Sequence, residues 1–127
     1  MVEGSAEPPD APRRRVVIDH CVPRPLMRLL AGDPAADPPP FDVERVGALG
    51  LADVDDGPLL DRIAGRCDVF VTVDKRLPRQ QRLEGRPFGT VLLRARANTV
   101  AALEPLVPRA REAAARVGPG QLVVVAS

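Results

Sequence analysis

Five short runs of apolar residues occur along the chain, and longer segments with apolar residues at helical spacing lie between them. Short runs rich in valine, leucine and isoleucine are typical of strands that are buried in a sheet. The predicted strands are residues 15–18, 41–46, 68–73, 90–93 and 122–125. In the run 41–46 apolar and charged residues alternate, which predicts a half-exposed strand at the edge of the sheet.

Three helices are predicted between these strands, and the basic loop 75–87 has room for one helical turn. Apolar residues follow each helix start at helical spacing, as Leu26, Leu29 and Leu30 do after Pro25. The start signals are Pro25, Pro58 and either Asn98 or Thr99, and the expected bend signals in the third helix are Pro105 and Pro108.

The alternation of strands with helices predicts an α/β fold, with a central, mainly parallel sheet of about five strands and helices on both faces. The length of 127 residues fits one domain, which we place at residues 13–127. Residues 1–12 are polar and rich in proline and predict a disordered tail, and the prolines of residues 33–40 predict a loop. Such sheets bind ligands at the carboxyl ends of their strands, near the point where the strand order reverses.

Several classes of site are excluded by residues that the chain lacks. It has one histidine, His20, and only two serines, one close to each end, so a buried Ser-His-Asp triad is excluded. The single lysine, Lys75, lies outside any glycine-rich phosphate-binding motif. The two cysteines, Cys21 and Cys67, form no C-x-x-C pair, which argues against a structural zinc site or a disulfide framework.

The remaining composition bears on partners and location. Without tryptophan or tyrosine, and with three phenylalanines, the chain lacks the aromatic residues of a base-stacking platform. No apolar run approaches the ~18 residues of a membrane span, and we expect neither a membrane segment nor a secretory signal. Two free thiols fit a reducing cytoplasm, so we expect a cytoplasmic protein.

The net charge of +1 conceals two poles of opposite charge. Residues 33–68 contain nine acidic residues and three arginines, a net charge of −6, and residues 75–96 contain seven basic residues and one glutamate, a net charge of +6. Such a molecule could hold a cation at one pole and a polyanion near the other. A GC-rich genome is an alternative source of the basic residues, because the chain has 17 arginines and one lysine.

Acidic residues follow two of the predicted strands directly. Asp19 follows the strand at 15–18, and Asp74 follows the strand at 68–73. A third carboxylate, Asp56, lies with Asp55 just ahead of the second helix. If that helix starts at the same edge of the sheet, three carboxylates converge and repel one another, so a cation or a proton must offset their charge. Because few histidines and cysteines are available, the expected cation is Mg²⁺ or Mn²⁺, which prefers oxygen ligands.

A carboxylate-bound Mg²⁺ can activate water and neutralise a phosphate during its transfer, and a basic loop beside it could hold the flanking phosphates. The basic residues of the loop after Asp74 are Lys75, Arg76, Arg79, Arg82 and Arg86. Together the acids and this loop predict a nuclease.

Each of these residues also has a structural interpretation. Asp56 fits a helix cap or a first-turn acid that the helix dipole favours, and Asp19 and Asp74 fit ordinary acids at the start of a loop. His20 fits a metal ligand, a proton shuttle or a packed neutral side chain. Lys75 fits either a phosphate contact or a cap of the turn.

The same segments resemble the compact PIN-like domains, a group of small prokaryotic proteins that includes toxin ribonucleases. The matching stretches are VIDHCVPR (17–24), GLADVDDGPLL (50–60), DVFVTVDKRL (68–77), QQ (80–81) and residues 91–98, and the similarity spans about residues 15–125. The resemblance implies a three-layer α/β/α PIN-like sandwich. It also implies strand-end acids that bind Mg²⁺ or Mn²⁺ and cleave single-stranded RNA, commonly as the toxin of a toxin–antitoxin pair.

Carried over by position, the catalytic and metal-binding acids that the resemblance implies are Asp19, Asp56 and Asp74. The RNA-binding candidates are Arg24, Lys75, Arg76 and Arg79, and further candidates for the site are His20, Asp55 and Asn98. RNA and an antitoxin protein are the implied partners, and a homodimer stays open. The family often has glutamate where this chain has His20, and the fourth acid common in PIN domains has no clear counterpart.

Three interpretations follow from the sequence. The first is a metal-dependent ribonuclease of PIN-like type, and the second is a catalytically degenerate PIN-like module that binds RNA or a protein partner. The third is a signalling receiver domain, which would need an acidic pair after the first strand and a lysine late in the chain. The third is disfavoured because His20 breaks the acidic pair and no lysine follows Lys75.

Overall fold

The five predicted strands form one sheet in which every neighbouring pair is parallel. The structure is a computed structural model that describes residues 13–33, 35 and 40–127. The strands are Arg15–Ile18 (β1), Asp42–Arg45 (β2), Val69–Thr72 (β3), Gly89–Arg94 (β4) and Leu122–Ala126 (β5). Their order across the sheet is β2-β1-β3-β4-β5, so β2 is an edge strand, as its alternating sequence predicts.

Helices connect the consecutive strands of this sheet. They are Leu26–Ala31 (α1), Asp56–Ile63 (α2), Leu77–Gln80 (α3), Val100–Leu103 (α4) and Val107–Arg116 (α5), with 3-10 turns at Val46–Leu49 and Glu104–Leu106. The predicted third helix is divided into three segments, and Pro105 and Pro108 stand in the first turns of the second and third. Proline lacks the N–H group that a helix interior uses, so the regular helix is interrupted at these positions.

Side chains alternate between the two faces of the sheet and form a separate apolar core on each. In β3, Val69 and Val71 belong to the core beneath α1, α4 and α5, whereas Phe70 belongs to the core beneath α2 and α3. Phe70 meets Phe88 edge to face, with the ring centroids 6.3 Å apart. A parallel sheet between two helical layers is a three-layer α/β/α sandwich, so the predicted fold class is confirmed.

The strand order reverses between β1 and β3. The chain leaves β1 for β2 on one side and returns to β3 on the other side. α/β proteins bind ligands in the crevice that such a reversal creates at the carboxyl ends of the strands. Asp19 and Asp74 lie at this place, because one follows the end of β1 and the other follows the end of β3.

The first two helices differ in detail from the sequence prediction. α2 begins at Asp56, so Pro58 stands within its first turn rather than at its start. In α1 only Leu26 and Leu30 are buried, and Leu29 is 38% exposed. Leu26 and Leu30 are four residues apart and lie on the same side of the helix, which faces the core. Leu29 lies at the margin of this apolar stripe and faces solvent.

Two further boundaries are resolved by local hydrogen bonds and burial. Thr99, rather than Asn98, caps α4, because its Oγ1 accepts a hydrogen bond from the Ala102 N–H at 3.2 Å. Val46 does not end the edge strand as predicted; it opens a 3-10 turn in which its side chain is fully buried.

Two of the sequence predictions concern parts of the chain for which no structure is given. The predicted tail at 1–12, and residues 34 and 36–39 of the predicted loop, lie outside the described residues. In the part of the chain that the structure describes, no helix is long and apolar enough to span a membrane.

Candidate functional site

The carboxyl ends of β1 and β3 bring two of the predicted acids to neighbouring positions. Asp19 directly follows β1, and its backbone N–H donates to the Val71 carbonyl of β3 at 2.9 Å. The residue is buried, with 3% of its surface exposed. Asp74 lies just beyond the end of β3 and is partly exposed. Because neighbouring parallel strands end at the same edge, both carboxylates lie at the point where the strand order reverses.

Thr72, the last residue of β3, links these two acids. Its buried hydroxyl donates to Oδ2 of Asp19 at 2.8 Å and accepts the backbone N–H of Asp74 at 3.0 Å. A hydroxyl has one donor and two acceptor lone pairs, so both hydrogen bonds form together. Sequence reasoning does not single out Thr72, although it is the only hydroxyl-bearing residue in the apolar run 68–73.

His20 lies against the other oxygen of Asp19. Its Nδ1 is 3.1 Å from Oδ1 of Asp19, and its backbone N–H donates to the same oxygen at 2.8 Å. The imidazole side chain is 59% exposed, which rules out the interpretation of His20 as a packed core side chain. It is a solvent-facing ring in contact with a buried carboxylate.

Asp56 is the third carboxylate of this edge. It is the first residue of α2, and Asp55 is the N-cap residue, although the Asp55 side chain makes no capping hydrogen bond. Burial raises the pKa of Asp56, and the negative charges of Asp19 and Asp74 raise it further. His20 lowers this pKa and Asp55 raises it. The three predicted acids are therefore close enough to act on one another electrostatically.

Arg76 is a counter-charge for Asp74. The backbone N–H of Arg76 donates to Oδ1 of Asp74 at 3.0 Å, and the Arg76 Nε lies 3.4 Å from the same oxygen. The guanidinium is largely exposed to solvent. Arg76, predicted as an RNA-binding residue, thus belongs to the acidic site itself.

The other predicted RNA-binding residues are exposed on the segments that follow the strand-end acids. Lys75 and Arg79 are exposed on the segment after Asp74, and Arg24 is exposed on the turn between β1 and α1. A cleft of about 560 Å³ lies beside Lys75, at the carboxyl ends of β3, β4 and β5. Its polar lining residues are Lys75, Arg94, Arg96, Asn98 and Ser127. Basic side chains are therefore exposed at the same ends of the strands as Asp74.

Two side chains from other parts of the chain hold the loop that carries His20. Asn98 donates from Nδ2 to the carbonyl of Cys21 at 2.8 Å. Arg45, at the end of β2, donates to the carbonyls of Val22 at 2.7 Å and His20 at 2.9 Å. Asn98 therefore supports the site through the backbone. Sequence reasoning does not single out Arg45, although the end of a parallel strand belongs to the same edge of the sheet.

The thiol of Cys21 lies beside the acids without the properties of a nucleophile. Its Sγ is 3.7 Å from Oγ1 of Thr72. Burial and the negative charge of Asp19 raise the pKa of the Cys21 thiol. Since the thiolate is the reactive form of cysteine, a raised pKa disfavours nucleophilic chemistry at this position.

The carboxylate oxygens of the site are the ligand type that a hard cation such as Mg²⁺ prefers. Within the described residues, no group of three or more histidine, cysteine, aspartate or glutamate side chains is arranged to hold a metal ion. Both oxygens of Asp19 and Oδ1 of Asp74 accept hydrogen bonds inside the protein, but carboxylate oxygens have further lone pairs. The pKa of Asp56 is raised mainly by burial, and the second cause is the negative charge of Asp19 and Asp74. An Mg²⁺ or Mn²⁺ ion would offset this negative charge with the ligand type that it prefers.

Comparisons with protein-family models, with curated proteins and with solved structures give no match to this chain. The chemistry of the strand-end residues is therefore the basis for assigning a function.

Proposed function

We propose that this protein is a metal-dependent ribonuclease of PIN-like type that hydrolyses phosphodiester bonds in single-stranded RNA. The observation that carries the proposal is that Asp19 and Asp74 are linked through Thr72 at the reversal of a parallel sheet, beside exposed cations and within electrostatic reach of Asp56. Three carboxylates that repel one another destabilise a protein unless a cation or a proton offsets them. Their position at a ligand-binding edge favours a functional reason for this cost.

The acids and their hydrogen-bond partners have distinct roles in this proposal. Asp19, Asp56 and Asp74 would hold Mg²⁺ or Mn²⁺, which supplies neutralisation of phosphate charge and a water of lowered pKa when it is bound. Thr72 fixes the orientation of the Asp19 carboxylate and the backbone of Asp74. Arg76 balances the charge of Asp74.

The exposed cations would bind the RNA through its backbone. Lys75, Arg79 and Arg24 are exposed around the acids, where they can hold the phosphates that flank the scissile one. The three phenylalanines of the chain are buried, so base stacking on aromatic side chains does not contribute. We therefore propose that the protein recognises the RNA through its phosphates rather than its bases.

The toxin role is proposed from the resemblance to PIN-like domains alone. On that proposal an antitoxin protein would bind and silence the ribonuclease. The chemistry of the site requires neither the antitoxin nor a second copy of the chain.

Cleavage of a labelled single-stranded RNA in Mn²⁺ or Mg²⁺ tests the proposed activity. The wild-type protein should cleave the RNA, and EDTA should stop the reaction. Asp19→Asn and Asp74→Asn should each slow cleavage by about 100-fold or more, because preorganised charges at a reacting centre contribute on that scale. Asp42→Asn is a matched control, since it removes a carboxylate from the amino end of β2. The strand-end acids lie at the carboxyl ends of the strands, on the opposite side of the sheet. Equal cleavage by all four proteins would refute the proposal.

A second candidate function is RNA binding without cleavage. It is favoured by His20, which stands where PIN domains often have glutamate, and by the hydrogen bonds that already engage both oxygens of Asp19. In this case the wild-type protein would retain the RNA in a gel-shift experiment and leave it intact with either metal. Asp19→Asn and Asp74→Asn would then bind the RNA as tightly as the wild type does.

A further inference from the structure

Among the described residues, no helix covers one part of the central sheet. On the face that carries α2 and α3, β5 presents Leu122 and Val124, which are 39% and 45% exposed. On the opposite face Val123 and Val125 pack into the core beneath α5. Parallel sheets in α/β proteins are covered on both faces, so an open apolar face on β5 is unusual.

The open face of β5 is part of a groove of about 490 Å³, which we call the β5 groove. Its apolar lining is formed by Leu92 of β4, Leu122 and Val124 of β5, and Pro78 of α3. Its basic lining residues are Lys75, Arg76, Arg79 and Arg94. Aliphatic side chains and four cations therefore occur together in one groove.

We propose that the β5 groove docks an amphipathic, acidic helix of a partner protein. The aliphatic residues would take the apolar stripe of the helix, and the cations would face acidic residues beside that stripe. Within the described part of the chain, Arg76 is the one of the four cations that forms an ion pair, and its partner is Asp74. The groove is therefore a region of net positive charge, which an acidic segment complements.

The dimensions of the sheet indicate the size of the docked segment. β5 has five residues and is about 16 Å long, which a helix of about 11 residues spans. A helix is favoured over an added strand, because the exposed side chains lie on the face of the sheet, where α/β proteins place helices. Helix α3 has only four residues, and the partner helix would cover the part of this face at β5 that α3 leaves open.

RNA fits the β5 groove less well than an acidic helix does. The cations would attract either ligand, but aliphatic side chains offer no stacking surface for bases. An acidic helix uses both the apolar and the basic lining, whereas RNA uses the basic lining alone.

A second copy of the chain is also disfavoured by charge. A symmetric pairing of two β5 strands would bring the same patch of both copies together. Arg76, Arg79 and Arg94 of one copy would then face the same three arginines of its partner, and like charges oppose such a pairing.

A set of three labelled peptides tests the proposed docking by fluorescence anisotropy with the full chain. The first is a 16-residue peptide with leucines on one helical stripe and glutamates beside it. The second replaces every glutamate with lysine, and the third has the composition of the first in an order that breaks the stripe. We expect the first peptide to bind at least tenfold more tightly than either of the others.

Two protein variants show whether binding occurs at the β5 groove. Leu122→Thr with Val124→Thr removes the exposed aliphatic surface and keeps residues that suit a strand. This double variant should lose tenfold or more in affinity for the acidic peptide. Leu29→Gln is the matched control, because Leu29 is a comparably exposed leucine on α1 and belongs to the opposite layer. It should bind as the wild type does.

RNA and a second copy of the chain, the two alternative occupants of the β5 groove, should respond differently to the Leu122→Thr/Val124→Thr variant. A single-stranded RNA oligonucleotide should bind the wild type and the Leu122→Thr/Val124→Thr variant equally, and a tenfold loss with RNA would overturn the proposal. A wild-type dimer in sedimentation equilibrium that this variant dissociates would also overturn it, in favour of a second copy. Acidic-peptide binding that is unaffected by the double variant, or no stronger than that of the two control peptides, would refute the docking site. None of these measurements depends on RNA cleavage.

Discussion

The buried hydroxyl of Thr72 forms hydrogen bonds with both strand-end acids, with the carboxylate of Asp19 and the backbone N–H of Asp74. We predict that Thr72→Val destabilises the protein by about 1–3 kcal/mol, because a buried Asp19 oxygen and the Asp74 N–H each lose a partner. Thr72→Ser keeps the hydroxyl and removes one methyl group, which costs about 1 kcal/mol. Urea unfolding of the metal-free protein measures both changes. A valine variant as stable as the serine variant would show that the hydrogen bonds contribute little.

Asp56 is expected to destabilise the metal-free protein at neutral pH. Its pKa in the folded protein is raised above the ordinary value of 3.8, so folding disfavours the ionised form. Stability linked to a raised pKa is fully present below the unfolded pKa and is lost as the pH rises through the folded pKa. Asp56→Asn should therefore raise the Tm in EDTA at pH 7, and the gain should disappear below about pH 4.

Asp42→Asn serves as the control for this pH dependence. Asp42 is an exposed carboxylate at the amino end of β2, away from Asp19 and Asp74. A Tm gain of the same size for Asp56→Asn at pH 3 and at pH 7 would show that the effect is not one of charge.

The residues of the candidate site differ in how far the sequence reveals them. Asp19 and Asp74 are predictable, because each is an acid after an apolar run and the strand pattern alone places both at the carboxyl edge. The partnership of Thr72 with Asp19 joins residues 53 positions apart, which no local pattern encodes. Arg45 reaches the loop after β1 for a similar reason, since its contacts depend on the parallel pairing of β2 with β1.

At the scale of elements, the turn before β5 depends on a glycine. Gly120 has a φ of +77°, and a Cβ at this position would overlap the Glu84 carbonyl oxygen. Gly50 has a similar φ of +74°, but no atom lies within 4 Å of the corresponding Cβ position. Gly50→Ala should therefore cost about 1–2 kcal/mol from the left-handed backbone alone.

Gly120→Ala should be more destabilising than Gly50→Ala, because the backbone around Glu84 must also move. Urea unfolding of the two variants measures this difference, and circular dichroism shows whether the strand content survives. Equal losses would indicate that the turn before β5 adjusts without cost.

Strands are predicted from the sequence better than the ends and faces of helices are. A strand such as β3 is a continuous apolar run, and burial on both faces follows from that run alone. The exposure of Leu29 and of Val124 depends on which elements cover α1 and β5, and that is decided by tertiary packing. The apolar run at 122–125 has the sequence of a strand buried on both faces, although one face of it is open.

At the scale of the whole molecule, acidic and basic residues meet at the carboxyl ends of the strands. Asp74 belongs to the acidic site, and Lys75 is exposed directly beside it. Lys75 follows Asp74 in the sequence, whereas the approach of Asp19 to Asp74 depends on the parallel pairing of β1 with β3.

The proposed RNA binding has a salt dependence that can be predicted. For single strands, the slope of log K against log salt concentration is about −0.7 for each phosphate that a protein cation neutralises. Lys75→Gln with Arg79→Gln removes two exposed cations beside the acids, so the slope should become shallower by about 1.4. Binding is measured in EDTA, so that cleavage does not interfere.

Arg66→Gln with Arg116→Gln is the control with the same change of net charge. Both arginines are exposed, and they lie at the amino edge of the sheet, before β3 and at the end of α5. The slope is set by direct contacts between cationic side chains and phosphates, and the net charge of the protein acts only weakly because salt screens it. This control should therefore leave the slope nearly unchanged. Equal slopes for the two double variants would mean that the RNA binds somewhere other than the edge that carries Asp19 and Asp74.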